Sequence, residues 1–342
     1  MKNKSAWMLK YLFMNGLSRI PFHERLHYVG QSLFGRHRLD APEMFGRAAE
    51  LFRLLDYAGE NVQGRSVLEI GTGWFPFTAM LSYLLGAKEV LTVDIHPWLK
   101  RRHAVETFEA ARRYGGELAK AVGVSRADFA ARCDVIARSA EQSGTVDEFF
   151  APTTIRYLPK TDLLKADLPA RSVDVVFSSN VLEHIPPDVL EAIHRRAAEL
   201  AREGGVALHR FNPDDHFKTL SGSSITFLEY SEAAWRRLGG YGLSYHNRLR
   251  SAEHADLARR AGWTLSFWAD ALDHGALRQL ESGTARLAER FASMPKEILA
   301  AFYSWFVLRN GPSDTTVSNP AHVKWIDDLW TAPSTEPEAQ TP

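Results

Sequence analysis

The chain has 342 residues, with 41 Lys plus Arg against 41 Asp plus Glu and 45% hydrophobic residues. This ordinary globular balance excludes a strongly basic nucleic-acid binder. A single cysteine, Cys133, excludes an intrachain disulfide and a cysteine-based zinc site, and a reducing, cytoplasmic setting is expected.

In chain order, residues 1–60 read as a helical preface rich in aromatics. Pro21 breaks it, and a second helix over 42–55 is capped by Asp40. Lys10 and Asn15 interrupt the N-terminal apolar run, so it makes a poor signal peptide. Phe22, His23, Tyr28 and Phe34 form an aromatic stripe that suits either a core face or a lid.

From residue 66 the pattern changes to short apolar runs separated by helices: 66–70, 89–93, 154–158, 173–178 and 205–208. Such runs predict parallel strands buried on both faces. The expected fold class is α/β, a Rossmann-like doubly wound, mostly parallel sheet spanning 61–270, with a possible edge strand over 263–268. A helical insertion is expected over 98–150 and a substrate-covering segment over 212–250. Beyond these come a helical extension over 271–330 and a disordered tail over 331–342. The apolar stretch 298–308 is too short to span a bilayer and reads as a buried helix. No membrane partner is expected.

The segment Val67-Leu68-Glu69-Ile70-Gly71-Thr72-Gly73-Trp74 is a strand running into two glycines separated by one residue. That arrangement suits a sharp turn in which backbone approaches a ligand closely. A dinucleotide-binding fingerprint requires a third glycine where this chain has Pro76, so a nicotinamide dehydrogenase is disfavoured. Asp94 ends the next strand, about twenty residues after the glycines, where a carboxylate can accept both hydroxyls of an adenosine ribose.

With these motifs, the run Asp174-Val175-Val176-Phe177-Ser178-Ser179-Asn180-Val181-Leu182-Glu183-His184-Ile185 resembles class I S-adenosylmethionine-dependent methyltransferases, in particular a small-molecule subfamily with a Leu-Glu-His element after strand four. The resemblance implies S-adenosylmethionine as cofactor. It places Gly71 and Gly73 beside the methionine part and Asn180 near the sulfonium, with Glu69 near the amino group. It also implies an acid after strand three at the adenine amine, Asp162 in preference to Asp167. Trp74-Phe75-Pro76-Phe77 departs from the small residues usual in that loop; Trp74 suits a wall for cofactor or substrate, while Phe77 equally suits helix packing.

Ligands of open parallel sheets sit at the carboxyl ends of the strands, so the segment after strand five is expected to face the methyl group. His216, oriented by Asp214 or Asp215, is the first candidate base; His246 and His184 are the others. No metal is expected, although Asp-Asp-His also suggests a weak divalent site. Tyr245, His246, Asn247 and Arg248 suit either a selective pocket or a structural hairpin. The expected reaction is methyl transfer to a hydroxyl of a sugar or secondary metabolite, with no nucleic acid as partner. C-methylation of an alkene such as an isoprenoid diphosphate and a non-catalytic cofactor-binding scaffold are the alternatives.

Overall fold

In a computed structural model of the chain, residues 4–21, 39–239, 242 and 245–312 are described. Seven strands form one sheet in the order β3-β2-β1-β4-β5-β7-β6. They are β1 (Ser66–Ile70), β2 (Glu89–Asp94), β3 (Ile155–Pro159), β4 (Val173–Ser179), β5 (Ala201–Phe211), β6 (Trp263–Leu272) and β7 (Ala301–Asn310). β1 pairs in parallel with β2 and β2 with β3, while β6 and β7 are antiparallel. The chain winds outward through β1, β2 and β3, then restarts at β4 on the other side of β1, which makes the sheet doubly wound.

All five residues of β1 are buried, as expected for a strand covered on both faces. β6 instead alternates, burying Trp263, Leu265, Phe267 and Ala269, and it lies at the sheet edge. The helical reading of 298–308 is corrected: a short helix, Lys296–Ala300, gives way to β7. Ser304 to Leu308 are buried consecutively, a pattern that periodicity alone does not separate from a buried helix. Aromatic and β-branched content, together with pairing to β6, decides for strand.

The helices are α1 (Lys4–Leu17), α2 (Ala41–Tyr57), α3 (Phe77–Leu84), α4 (Arg101–Ala121), α5 (Arg126–Gln142), α6 (Val146–Phe150), α7 (Pro187–Leu200), α8 (Lys218–Ser221), α9 (Glu232–Leu238), α10 (Ser251–Arg260), α11 (His274–Glu281) and α12 (Lys296–Ala300). Asp40 caps α2, accepting from the Glu43 N–H at 3.2 Å. Ser231 caps α9 in the same way, accepting from Ala234 N–H at 3.3 Å. Helices α4, α5 and α6 lie between β2 and β3.

Contacts divide the chain into two compact units. The first, here the glycine-loop unit, comprises Leu39–Phe177 and Leu200–Leu208 among the described residues. Its core joins Leu51, Phe52, Leu54 and Leu55 of α2 with Leu68, Met80, Leu81 and Phe108, all fully buried or nearly so. Phe52 packs on Phe177 at 5.1 Å between ring centroids. The Asp174 carboxylate accepts from the Ser66 N–H at 2.8 Å and pairs with Arg202 at 2.8 Å, fixing the start of β1.

The second, the histidine unit, holds α1, Ser178–Glu199 and the described residues from His209 onward. Trp7 and Tyr11 of α1 belong to its core with Ile225, Phe227, Trp235 and Leu299. The proposed lid residues Phe22, His23, Tyr28 and Phe34 lie outside the described residues, as does the tail over 331–342.

Candidate functional site

In the glycine-loop unit, Gly71 and Gly73 follow β1 with φ of 86° and 64°. These angles are costly for a residue bearing Cβ. A Cβ built on Gly73 meets no atom within 4 Å, so the backbone here faces open space that a ligand can fill. The Gly73 N–H donates to one Asp94 carboxylate oxygen at 2.8 Å, and the His96 N–H donates to the other at 2.8 Å. Each carboxylate oxygen has a second lone pair, so Asp94 holds the loop and retains capacity for further donors.

Glu69 is buried within the same unit. Thr92 Oγ1 donates to its Oε2 at 2.6 Å, and because that proton is committed, Thr72 Oγ1 is the donor in its 2.5 Å contact with Thr92. Burial pushes the Glu69 carboxyl up to about 7, against the hydrogen bonds from Thr92, Thr78 and Ala79. Asp162 lies on the loop after β3, whose Thr161 N–H donates to the Asp94 carbonyl at 2.9 Å. Asp162 itself accepts from Leu164 N–H at 3.0 Å and pairs with Lys165 at 3.2 Å. Two features escaped the sequence reading. Ile95, directly after Asp94, is 65% exposed. Trp98 stacks on Trp74 at 4.8 Å. An apolar residue exposed next to the loop-holding acid was a signal available in the sequence.

In the histidine unit, Asn180 takes the left-handed φ of 55° after β4, a conformation asparagine tolerates and one often found at functional turns. Its N–H donates to the Arg210 carbonyl at 2.8 Å, and its Oδ1 accepts from Arg210 Nη1 at 2.5 Å. Arg210, buried and 4.1 Å from the Tyr303 ring centroid, was not anticipated.

The three candidate bases come together: ring centroids are 5.0 Å apart for His184 and His216, 4.8 Å for His216 and His246, and 6.2 Å for His184 and His246. Their partners differ from expectation. Asp215 does not orient His216; its carboxylate accepts from Trp7 Nε1 at 2.7 Å, Tyr11 OH at 3.1 Å and Phe217 N–H at 2.9 Å. Asp214 is paired with Lys218 instead. Adjacency in sequence sent these side chains in different directions. Burial raises Asp214 to about 6 and Asp215 to about 7.

The carboxylate that does join the histidines is Glu183. One ligand atom each from Glu183, His184 and His216 lie within 4.8 Å of one another. Glu183 is fully buried, accepts from Asn212 N–H at 3.2 Å through Oε1, and has no partner for Oε2 among the described residues. Burial raises its pKa.

His246 has both ring nitrogens engaged: Nδ1 accepts from Arg248 N–H at 3.2 Å, which leaves Nε2–H to donate to the Asn212 carbonyl at 3.3 Å. It therefore lacks the lone pair a base needs, which corrects its candidacy. His184 is complementary, since Nδ1–H donates to the Tyr245 carbonyl at 3.2 Å and Nε2 keeps its lone pair. The protein around His216, with His184 and Lys218, lowers its imidazole to about 3, while the residue keeps a solvent-exposed edge. The direction is what bears on chemistry: the ring is neutral at pH 7.

The segment after Tyr245 resolves as structural. Asn247 Nδ2 donates to the Leu182 and Ile185 carbonyls at 2.7 and 2.9 Å. Arg248 Nη1 donates to the Phe227 and Tyr230 carbonyls at 2.9 and 2.6 Å.

A family model described as a methyltransferase domain matches residues 43–282, well over half the chain. The chain belongs to this methyltransferase family. It is an S-adenosylmethionine-dependent methyltransferase with a Rossmann-like α/β fold. Among solved structures, it is similar to an S-adenosylmethionine-dependent methyltransferase from Mesorhizobium loti, at 16% identity over 76% of this chain and 97% of that one, with a TM-score of 0.40. It is also similar to magnesium protoporphyrin IX methyltransferase from Synechocystis, at 13% identity over 78% and 84% with a TM-score of 0.40. A geranyl diphosphate methyltransferase matches at 12% identity over 77% and 76% with a TM-score of 0.41. No curated protein matches the sequence. Among the described residues no helix of this methyltransferase is long and apolar enough to cross a membrane.

Proposed function

We propose that this methyltransferase methylates a hydroxyl oxygen of a small-molecule acceptor. When bound, S-adenosylmethionine supplies a methyl group on a sulfonium, a good leaving group for in-line displacement. The residues of the glycine-loop unit fit it: a left-handed turn at Gly71 and Gly73 with open space at Gly73, Asp94 with lone pairs left for ribose hydroxyls, and exposed Ile95 as an apolar face for adenine. Asp162 serves the adenine amine and Glu69 the amino group.

Transfer to a hydroxyl needs a group that takes up or weakens the hold on its proton. The observation that carries the acceptor class is the Glu183–His184–His216 cluster, in which the His184 ring, held through Nδ1 by the Tyr245 carbonyl, lies beside the His216 imidazole. Aromatic walls without such a cluster would favour methylation at carbon instead.

The test is transfer of labelled methyl from S-adenosylmethionine to a panel of hydroxylated metabolites, with geranyl diphosphate as the alkene arm and the product position read by NMR. The expected product is an ether, lost about 100-fold or more in His184→Ala with cofactor affinity unchanged. Carbon-methylated product, or ether formation indifferent to His184→Ala, contradicts the proposal.

A further inference from the structure

Glu183 carries an unresolved electrostatic problem: a fully buried carboxylate with one oxygen lacking a hydrogen-bond partner among the described residues. An unsatisfied buried acceptor costs about 1–3 kcal/mol, more when charged. Such an oxygen is tolerated where something else satisfies it. The His184 and His216 rings each bring a nitrogen near its carboxylate and the Arg210 guanidinium faces it as well; with Nδ1–H of a neutral His184 ring donating to the Tyr245 carbonyl, the lone pair of that ring lies on Nε2. A hydrogen bond from His184 Nε2 to Glu183 is therefore unavailable in this tautomer. A cation answers the carboxylate and the lone pair together.

We propose that Glu183, His184 and His216 bind a first-row divalent cation, zinc or a close relative, with at least one coordination position left open. Two imidazoles and one carboxylate are the donor set of zinc and of non-haem Fe(II) sites, whereas magnesium and calcium prefer oxygen donors throughout. Metal–ligand bonds of about 2.0–2.2 Å put neighbouring ligand atoms about 3–3.5 Å apart. Separations of at most 4.8 Å thus close with small side-chain adjustments.

The surrounding contacts suit the purpose. The Tyr245 carbonyl orients His184 through Nδ1, leaving Nε2 for the metal, and Asn212 N–H holds the coordinating carboxylate. Support of ligands by such outer contacts is a regular feature of metal sites. Asp214 and Asp215, the carboxylates adjacent to His216 in sequence, are already committed to Lys218, Trp7 and Tyr11 and are not ligands.

Three protein ligands leave a fourth tetrahedral position for water or another oxygen donor. That position would take the acceptor hydroxyl, which the metal would make more acidic so that its proton could pass to bulk water. This assignment rests on the proposed O-methylation; the metal site itself does not. On this account His184 and His216 act as ligands, and the hydroxyl is activated by the metal rather than by free imidazole.

The experiment uses the tag-free full chain stripped with a chelator and dialysed. It is titrated calorimetrically with zinc chloride and spectroscopically with cobalt(II), whose visible bands report coordination number. The expected result is one equivalent bound in the low micromolar range or tighter, with a four- or five-coordinate cobalt spectrum. Affinity should fall at least tenfold in His184→Ala and in His216→Ala. Both residues are exposed, so these variants spare the core. His274→Ala, an exposed histidine elsewhere, should bind as the parent does.

No stoichiometric binding, or binding that ignores His184→Ala and His216→Ala, overturns the proposal. Titration of the same samples with S-adenosylmethionine reports separately on the cofactor, and methyl-product position on the acceptor class, so failure of either is distinguishable from failure of the metal site.

Discussion

At the scale of single residues, Glu69 shows how the chemistry of a side chain is set by elements distant in sequence. Its position two residues before Gly71 was legible from the motif. Its elevated pKa was not, because it comes from burial, which the hydroxyls of Thr92 and Thr78 on other elements offset only in part. An acid whose folded pKa exceeds its unfolded value contributes stability fully present below about 4.5 and lost as pH rises through about 7. The loss is on the order of 3 kcal/mol across that window. Glu69→Gln should therefore flatten the decline in melting temperature between pH 5 and pH 8, measured by calorimetry on the cofactor-free protein. A variant whose melting temperature tracks the parent at every pH would show that Glu69 does not titrate in this range. The same limit of sequence reading explains His216: Asp214-Asp215-His216 looks like an acid–base unit, yet the partners of Asp215 lie more than 200 residues upstream, at Trp7 and Tyr11.

At the scale of elements, the strands up to β4 and the capped helix α2 were legible because local signals agreed: consecutive burial, turn residues and a capping aspartate. β7 was misread because an all-apolar run has no period to distinguish strand from helix. α1 was read as a preface, whereas the structure makes it part of the histidine unit's core. Two of its side chains supply donors to the buried Asp215 carboxylate. Trp7→Phe keeps the ring but removes the indole donor, leaving that carboxylate with one fewer hydrogen bond. The expected loss is about 1–3 kcal/mol in a urea melt, with most of it recovered in a Trp7→Phe, Asp215→Asn double variant. A single-variant effect under about 0.5 kcal/mol would place the anchoring of α1 in ring packing alone.

At the scale of the whole molecule, zero formal net charge hides strong local opposition between buried ionisable groups. His194, His209 and His254 are fully buried, and burial lowers each pKa, that of His194 to about 4. Neutral burial of this kind contributes stability present above about 6.5 and lost as pH falls towards the folded pKa. Buried carboxyls such as Glu69 act in the opposite direction over an overlapping range. Among the described residues His254 has no hydrogen-bond partner at either ring nitrogen, and it packs on Phe211 at 4.3 Å. His254→Phe should therefore gain stability relative to the parent as pH drops from 6.5 to 5, seen as a widening difference in melting temperature. A constant difference over that range would contradict the assignment of acid sensitivity to this residue.

The central claim, that this methyltransferase holds S-adenosylmethionine on the glycine loop and Asp94, is tested most directly by calorimetric titration of the wild type and Asp94→Ala. S-adenosylmethionine and, separately, NADH are the titrants. The account predicts binding of S-adenosylmethionine alone, weakened at least about tenfold, or 1.4 kcal/mol, by the substitution, since Asp94 both accepts from the ligand and fixes Gly73. No binding of S-adenosylmethionine to the wild type, or binding unaffected by loss of Asp94, would contradict it.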